Sequence, residues 1–379
     1  MHEMADRRSR ASPLSHFAGI ALAVLLAEPN RHELISRLLT TDSARSWELV
    51  SEAYARKPGD FCTEADMTIV RRIFLSKQQT VLHHASTIVR RIAENDPALA
   101  VELICTADFG AAPRATHNFF MWLSHGDTIP SEVITKQQWE VLIRELSRLR
   151  QLDDHWVRGF LKKAVAVHPS EVIKMLKARM EEGARNFEYR ALRRDRKGEG
   201  FKLLSHPDGR ALLREFLVWA VHVQTGRDLA MDIGATVSGL CGKYGSDVKE
   251  LLLELLSGGT QAHVEVVASV LRSASQTFVL EETPFIRQAL NLAEYVSEQA
   301  AKDLASALWS ATLTGGRSGT VGEPFKEDLA LQAHAQEVLT GLSKLDPAYS
   351  LYFGLLRHAE ENISRQAREK KAMLEQEEE

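Results

Sequence analysis

Residues 82–104 read LHHASTIVRRIAENDPALAVELI, which is two helical patterns separated by one sharp break. Apolar residues recur at intervals of three and four on both sides of the break, as they do along one face of an α-helix. Pro97 stands where the second pattern begins. Proline is favoured in the first turn of a helix, because its missing N–H would have no partner there. The stretch therefore predicts a hairpin of two helices.

The same pattern recurs along the chain. When residues 154–176, 231–253 and 332–354 are laid on residues 82–104, their apolar positions coincide, and the N-terminal apolar run falls into the same register. The breaks lie at Pro29, Pro97, Pro169, Ser246 and Pro347. Positions twelve, nine and five residues before a break share one helical face, and the position six after it places an inward residue on the next helix. The predicted inward residues are Phe17, Ala85, Val157, Gly234 and Ala335; Ile20, Ile88, Phe160, Val237 and Val338; Val24, Ile92, Ala164, Cys241 and Leu342; and Ile35, Leu103, Met175, Leu252 and Phe353.

The breaks are 68, 72, 77 and 101 residues apart, and a two-helix repeat of the HEAT kind takes about 40 residues. Each interval therefore holds an additional hairpin. No run alternates as a half-buried strand does. The sequence predicts an all-α fold, a right-handed, HEAT-like α-solenoid of about 18 helices stacked as antiparallel hairpins. Any antiparallel helices joined by short loops would give a similar pattern, and that alternative stays open.

The predicted organisation is a tail over residues 1–12, one solenoid over 13–363 and a charged helix end or tail over 364–379. The apolar run 17–27 follows three arginines, as in a signal peptide, but it is too short to span a membrane. We expect it to be the first helix, with Ser12 as its N-cap and Pro13 in its first turn.

Composition excludes several classes of function. The net charge is −4 over 379 residues, so no overall positive field attracts nucleic acid or anionic lipid. The cysteines Cys62, Cys105 and Cys241 form no CxxC pair, which is typical of buried thiols in a reducing compartment and gives no zinc signature. We therefore expect a cytoplasmic protein with no membrane contact, no metal and no cofactor.

A glycine-rich stretch, LTGGRSGTVGEPFKED at residues 313–328, separates two predicted helices. It lacks the lysine and the preceding strand of a phosphate-binding loop, and Glu323 would place a negative charge beside the anion. Glu323 is better suited to the positive end of the helix predicted over residues 325–344. The stretch predicts a flexible connection, with partner contact through Arg317 as the alternative.

The strongest local positive field lies near the middle of the chain, between two predicted helices. It consists of Arg190, Arg193, Arg194, Arg196 and Lys197. Interspersed acidic residues dilute this charge, so a solvated connection is the simplest interpretation. Contact with an acidic protein surface is the first alternative, and contact with nucleic acid is the second.

No catalytic motif appears in the sequence. Asp153, Asp154 and His155 have the chemistry of an acid–base group, but they precede a helix and most simply supply its cap. No histidine has a second ligand at metal-binding spacing, and no nucleophile signature is present. The sequence therefore predicts a protein that is not an enzyme, although a site assembled by folding would leave no local motif.

The paired helices with D-P or H-P breaks resemble HEAT-type α-solenoids over most of the chain. Residues 208–363 further resemble the C-terminal solenoid of large bacterial signal-transduction ATPases and related anti-phage proteins. In that family a loop similar to GGRSGTVGEPFKEDL (315–329) and a helix similar to DPAYSLYFGLLRHAEENI (346–363) recur. The resemblance implies a sensor in bacterial defence signalling without the nucleotide-binding part, and it assigns no role to any residue.

The leading functional hypothesis is a non-enzymatic scaffold or sensor that binds a protein partner, because stacked helix pairs offer a long surface with many small contacts. The alternative is a HEAT-type DNA-binding protein or DNA glycosylase. That alternative needs a basic surface on the helices that face the DNA. Its candidate residues are Arg71, Arg72, Arg90, Arg91, Lys162 and Lys163.

Overall fold

The computed structural model describes residues 13–25, 31–56, 63–125, 128–149, 151–183, 192, 199–223, 227–313, 320 and 323–377. Every regular element within these ranges is helical and none is a strand, so the all-α prediction is confirmed. The chain divides into two compact units, residues 1–191 and residues 192–379. The prediction of one continuous solenoid over residues 13–363 stays a prediction.

The described part of the first unit consists of helices joined by short turns, with a single 3-10 turn at Ser131–Val133. The helices are α1 (Pro13–Leu25), α2 (Arg31–Leu39), α3 (Ala44–Arg56), α4 (Glu64–Phe74), α5 (Gln79–Ala93), α6 (Pro97–Thr106), α7 (Pro113–Ser124), α8 (Lys136–Leu146), α9 (His155–Val167) and α10 (Pro169–Gly183).

Helices that are two apart in sequence contact each other in the first unit. α1, α3, α5, α7 and α9 form row A, in which each helix packs on the next, and α4, α6, α8 and α10 form row B in the same way. The rows contact each other through pairs such as α4 with α5 and α9 with α10. From α3 onward, consecutive helices therefore alternate between two layers.

The described part of the second unit begins with a 3-10 turn at Leu203–Ser205. Its helices are α11 (Gly209–His222), α12 (Arg227–Cys241), α13 (Ser246–Leu256), α14 (Gln261–Arg272), α15 (Gln276–Glu281), α16 (Thr283–Val296), α17 (Glu298–Leu313), α18 (Lys326–Thr340) and α19 (Pro347–Glu377).

Two rows also run through the second unit. Row C is α12, α14, α17 and α19, row D is α11, α13, α16 and α19, and each helix packs on the next in its row. The short helix α15 contacts α16 and α17, and α18 packs along α19. α19 therefore closes both rows, so the second unit ends differently from the first.

The predicted breaks are helix starts wherever the structure describes them, at Pro97, Pro169, Ser246 and Pro347. At the first of these, the carboxylate of Asp96 accepts the N–H of Leu99 at 2.9 Å, and Pro97 occupies the first turn. This cap satisfies an N–H that the helix itself leaves without a partner. Pro29 lies outside the described residues.

The predicted inward positions are buried in the three interior repeats, apart from the half-buried Cys241, and the outcome is mixed in the first and last repeats. Ala85 and Val157 are fully buried, and so are Ile35 in the first repeat and Ala335 in the last. On α1, however, Ile20 and Val24 are exposed while Leu22 and Ala23 are buried, so the helix faces the protein with the other side.

On α19, Phe353 is 44% exposed, because Leu351, Tyr352 and Leu355 form the buried face. α1 begins row A and α19 ends rows C and D, so neither has a further described helix of its row to cover the predicted face.

One helix boundary and one short helix also differ from the sequence pattern. The apolar spacing over residues 131–151 predicts a single helix, but α8 begins only at Lys136. Thr135 and Gln138 form a capping box that fixes this start: the Thr135 hydroxyl accepts the N–H of Gln138 at 3.3 Å, and the Gln138 side chain accepts the N–H of Thr135 at 2.9 Å. The six-residue helix α15 was not predicted, because it is shorter than two helical turns.

Candidate functional site

The predicted binding residues lie outside the residues that the structure describes. They are Arg190, Arg193, Arg194, Arg196, Lys197 and Arg317. Their assignment therefore stays a prediction, and a candidate site has to be built from the described part of the chain.

The C-terminal edge of the glycine-rich stretch is described from Glu323 onward. The carboxylate of Glu323 lies 4.0 Å from the ammonium of Lys370. α18 begins at Lys326, and its first turn carries Glu327 and Asp328. Acidic residues near a helix N-terminus are stabilised by the helix dipole. Glu323 itself is engaged by Lys370 on α19.

Two of the six basic residues considered for DNA contact bind backbone carbonyls instead. The guanidinium of Arg91 on α5 donates to the carbonyl of Tyr54 at 3.4 Å, and the ammonium of Lys163 on α9 donates to the carbonyl of Leu123 at 3.0 Å. Both carbonyls belong to the last turn of the preceding helix in row A, where carbonyls lack intrahelical partners. Arg91 and Lys163 occupy the same position in two successive repeats, so the contact between a basic side chain and a helix-end carbonyl recurs from one repeat to the next.

The other basic residues of that set are dispersed. Arg71 pairs with Glu64 at 2.9 Å and Arg90 with Glu94 at 3.4 Å, and Lys162 is exposed. Arg72 lies over an indole ring instead. The DNA-binding hypothesis stays a prediction, but Arg91 and Lys163 already serve the packing of row A.

A pocket of about 340 Å³ lies at the edge of the first unit where the α2–α3 and α4–α5 turns meet. Its floor is the buried side chain of Trp47, in the first turn of α3. The indole N–H donates to the carboxylate of Asp42 at 2.8 Å. Asp42 has a φ of 40°, in the left-handed region that Asp tolerates better than most residues, and it ends the α2–α3 turn. The hydrogen bond from the α2–α3 turn therefore holds the N–H edge of the indole ring in place.

One wall of the pocket is the guanidinium of Arg72, whose central carbon lies 4.7 Å from the centroid of the Trp47 ring. A cation over an indole face is attracted electrostatically by the electron-rich π face of the neutral ring. Asp42 instead contacts the edge of the same ring. Among the residues that the structure describes, Arg72 forms no ion pair, whereas the neighbouring Arg71 is paired with Glu64.

The rim of the pocket combines an apolar and a polar side chain. Leu75 follows the last residue of α4 and is 61% exposed. Gln78 precedes α5, and its side chain makes no capping hydrogen bond, although its backbone N–H donates to the hydroxyl of Ser76 at 3.2 Å. The pocket therefore presents a cation, an amide and an exposed apolar group around one aromatic floor.

Sequence reasoning missed this pocket. The apolar helical face that carries Trp47 in the sequence predicts a core residue, which is correct, whereas Arg72 was a candidate only for DNA contact. The two residues lie on different helices with no local motif between them. The pocket could have been predicted only by assuming that α3 and α4 form an antiparallel hairpin. In such a hairpin the end of α4 lies beside the start of α3.

A second exposed feature is an apolar stripe at the start of α19, made of Leu345, Tyr349 and Phe353. Tyr349 and Phe353 are four apart on α19 and share one side of the helix, and Leu345 lies in the turn that precedes it. Leu345 is 92% exposed, and the rings of Tyr349 and Phe353 stack with centroids 6.0 Å apart. The buried face of α19 lies on Leu351 and Tyr352, so this stripe is additional to its packing surface.

Asp154 and the two described cysteines have structural roles. The carboxylate of Asp154 accepts the N–H groups of Trp156 and Val157 at 2.8 and 3.3 Å, which confirms its predicted capping of α9. Burial raises the pKa of the Cys105 and Cys241 thiols to about 12, so both resist ionisation. Cys62 lies outside the described residues.

No protein-family model, curated protein or solved structure matches this chain. The resemblance to HEAT-type solenoids and to bacterial signalling ATPases therefore stays a prediction. In the described residues, no helix combines the length and the apolar character that crossing a membrane requires.

Proposed function

We propose that this chain is a HEAT-like α-solenoid that acts as a scaffold or sensor and binds a protein partner without catalysing a reaction. The observation that carries the proposal is the two-row packing, which occurs separately in each unit. Helices that alternate between rows bury one face against their neighbours and leave side chains and turns available along the outside. Such surfaces suit an extended protein ligand.

The exposed features of each unit support a binding role. In the first unit, the pocket over Trp47 has an exposed apolar rim at Leu75. In the second unit, Leu345, Tyr349 and Phe353 form the apolar stripe on α19. Exposed apolar groups that cluster with aromatic rings are typical of protein interaction sites.

Site-specific crosslinking tests the binding role. The photoreactive residue p-benzoylphenylalanine is placed at Leu75 or Leu345, and at the exposed Glu215 on α11 as a control. We expect a discrete crosslinked protein in native lysate from either apolar site, competed by excess unlabelled chain and not formed from Glu215. Equal labelling from all three sites, or none from the apolar sites, would contradict the proposal.

The solenoid arrangement has its own test. In a solenoid each repeat is stabilised mainly by its immediate neighbours, so damage stays local. Ile88→Ala on α5 removes fully buried atoms and should raise hydrogen exchange most strongly in α5 itself and in α3, α4, α6 and α7, which α5 contacts. Val237→Ala in row C is the matched variant for the second unit. A uniform rise throughout the chain would argue for one cooperative globule instead.

The resemblance of residues 208–363 extends the proposal to bacterial defence signalling in the cytoplasm. Expression of the chain in a bacterial host should then change the plating efficiency of at least one phage in a panel. A variant with Tyr349→Ser and Phe353→Ser, which alters the exposed stripe only, should lose the effect. An unchanged plating efficiency across the panel would remove the defence part and leave the binding proposal standing.

A further inference from the structure

We infer that the pocket over Trp47 binds a carboxylate that lies next to an apolar side chain, such as a partner segment presents. The inference deepens the proposed function, because a protein partner would supply that segment. It rests on four groups that meet in the pocket: the Arg72 guanidinium, the Gln78 amide, the Trp47 ring and the Leu75 side chain.

The guanidinium of Arg72 provides the charge. It is held over the Trp47 ring at 4.7 Å and forms no ion pair within the described part of the chain. No hydrogen bond or ion pair within the described residues engages the N–H groups of Arg72, so they are available to a ligand. Those N–H groups match the two oxygens of a carboxylate. A stacked arginine is also oriented before the ligand arrives, which lowers the entropy lost on binding.

The other pocket residues determine which ligand groups are favoured next to the carboxylate. Leu75 is 61% exposed at the rim, so an apolar ligand side chain that covers it removes apolar surface from water. The carboxamide of Gln78 makes no hydrogen bond within the described residues, and it can donate to a ligand oxygen. The volume of about 340 Å³ is at the lower end of small-ligand pockets, which fits one apolar side chain with its carboxylate.

Among the described residues, the carboxylate of Asp42 is the one acidic group that lines the pocket. It contacts the indole edge through Nε1 at 2.8 Å, whereas Arg72 lies over the ring face. The two charges therefore occupy different sides of Trp47. Asp42 disfavours a ligand with two adjacent negative charges, and it accepts N–H donors of a peptide backbone. The expected ligand carries one carboxylate and is neither a phosphate nor a polyacidic tract.

The test uses defined peptides and the full chain. The indole N–H resonance of Trp47, assigned by its loss in Trp47→Phe, is followed by NMR during titration with four peptides. Acetyl-alanyl-leucine carries a terminal carboxylate, and acetyl-aspartyl-leucinamide carries a side-chain carboxylate. The neutral controls are acetyl-alanyl-leucinamide and acetyl-asparaginyl-leucinamide. We expect saturable shifts with at least one acidic peptide, and dissociation constants at least about tenfold weaker for its neutral control.

Two exposed arginines give matched variants, because Arg71 and Arg72 are adjacent and only Arg72 lines the pocket. Arg72→Gln should weaken binding of the acidic peptide by about tenfold or more, and Arg71→Gln should change it by less than about twofold. Binding of the acidic peptide should also weaken as salt is added. Circular dichroism of both variants checks that the fold is retained.

Each outcome of the titrations either supports or overturns the inference. Binding of the terminal-carboxylate peptide alone, of the side-chain-carboxylate peptide alone, or of both supports the inference and identifies the source of the carboxylate. No saturable shift up to about 20 mM peptide, a range that covers dissociation constants in the millimolar region, overturns it. Equal binding of acidic and neutral peptides, or equal effects of the two arginine variants, also overturns it. Crosslinking from Leu345 is independent of the pocket, so failure here leaves the scaffold proposal intact.

Discussion

The two units share a two-row arrangement of helices, but the longest series of side-chain contacts between helices differs between them. In the first unit, a continuous series of buried rings joins both rows, with successive centroids 5.1 to 6.2 Å apart. The series is Phe74, Phe119, Phe109, Phe120, Phe160 and Trp139. Rings at such distances add to the stabilisation from burial alone.

In the second unit, ion pairs join successive helices of row D near their N-termini. Arg210 pairs with Asp247 at 2.8 Å, and Lys249 pairs with Glu282 at 2.7 Å. Arg287 completes the series by pairing with Asp346 at 2.8 Å. Each acidic partner belongs to the first turn of the next helix or immediately precedes it, where the dipole favours negative charge.

The difference shows that the row pattern does not depend on one kind of contact. Rings of the first unit are large and buried, so they contribute much of its stability. Ion pairs of the second unit are partly exposed and contribute little each, but they favour one alignment of neighbouring helices. Row C also requires close packing, because a Cβ at Gly234 would lie 2.1 Å from the carbonyl oxygen of Ser269.

The largest expected effect is the loss of a ring from the first unit. Phe160→Ala removes a fully buried side chain that contacts Phe120 and Trp139. The expected cost is about 3–5 kcal/mol in free energy of unfolding, measured by urea denaturation. Phe353→Ala, at a half-exposed position, is the control and should cost less than about 1 kcal/mol. Similar losses in both variants would show that the ring series has no special role.

The second effect concerns the close packing of row C. Gly234→Ala should destabilise the protein by about 1–3 kcal/mol, because α12 has to move away from α14. Gly245→Ala is the control, since a Cβ there meets no atom within 4 Å and should change stability by less than about 0.5 kcal/mol. Thermal denaturation compares the two. An increase in stability from Gly234→Ala, as in an open helix, would contradict the packing described here.

The third effect is a pH dependence in the first unit. Burial raises the pKa of the Glu145 carboxyl above its ordinary value of 4.5, although Arg148 opposes the shift. A carboxyl with a raised folded-state pKa favours folding most below its unfolded-state pKa, and this stability is lost as pH rises through the folded-state pKa.

Glu145→Gln should therefore be more stable than the wild type by up to about 1 kcal/mol at pH 7. The advantage should shrink as the pH falls toward 4, as followed by urea denaturation at several pH values. Glu140→Gln, at an exposed position on the same helix, should show no such trend. A difference that grows toward low pH would reverse the expected sign.

The smallest effect is expected from the ion pairs of the second unit. Arg287→Gln breaks the pair with Asp346 and should cost less than about 1 kcal/mol, because the arginine is half-exposed and Asp346 still accepts the N–H of Ala348. The loss should diminish further in high salt, which screens the wild-type pair. Arg357→Gln, whose partner Glu361 lies on the same helix, is the control. A larger loss that does not depend on salt would indicate packing by the Arg287 stem.

Much of the fold followed from residues that are close in sequence. The start of α6 at Pro97, the cap at Asp154 and the buried face with Ala85 and Val157 all follow from spacing and capping rules. The exposure of Phe353 could not be predicted in this way. The repeat register places Phe353 against a neighbouring helix, but in the structure Phe353 belongs to the exposed apolar stripe of α19.

The candidate site followed from the sequence much less well. Trp47 and Arg72 form a site only because the packing of α3 and α4 places the indole under the guanidinium. Arg91 and Lys163 were candidates for DNA contact, and the fold uses them on helix-end carbonyls. A basic side chain in a sequence does not reveal whether its partner is solvent, a ligand or the backbone of another helix.

The sequence by itself determined that the chain is helical and where most helices begin, because periodicity, prolines and capping side chains act over a few residues. Only the tertiary structure decided which helices are neighbours, that Arg72 lies over an indole ring without an ion pair among the described residues, and where a pocket opens. Those properties depend on contacts between residues far apart in the chain, and such contacts leave no fixed spacing in the sequence.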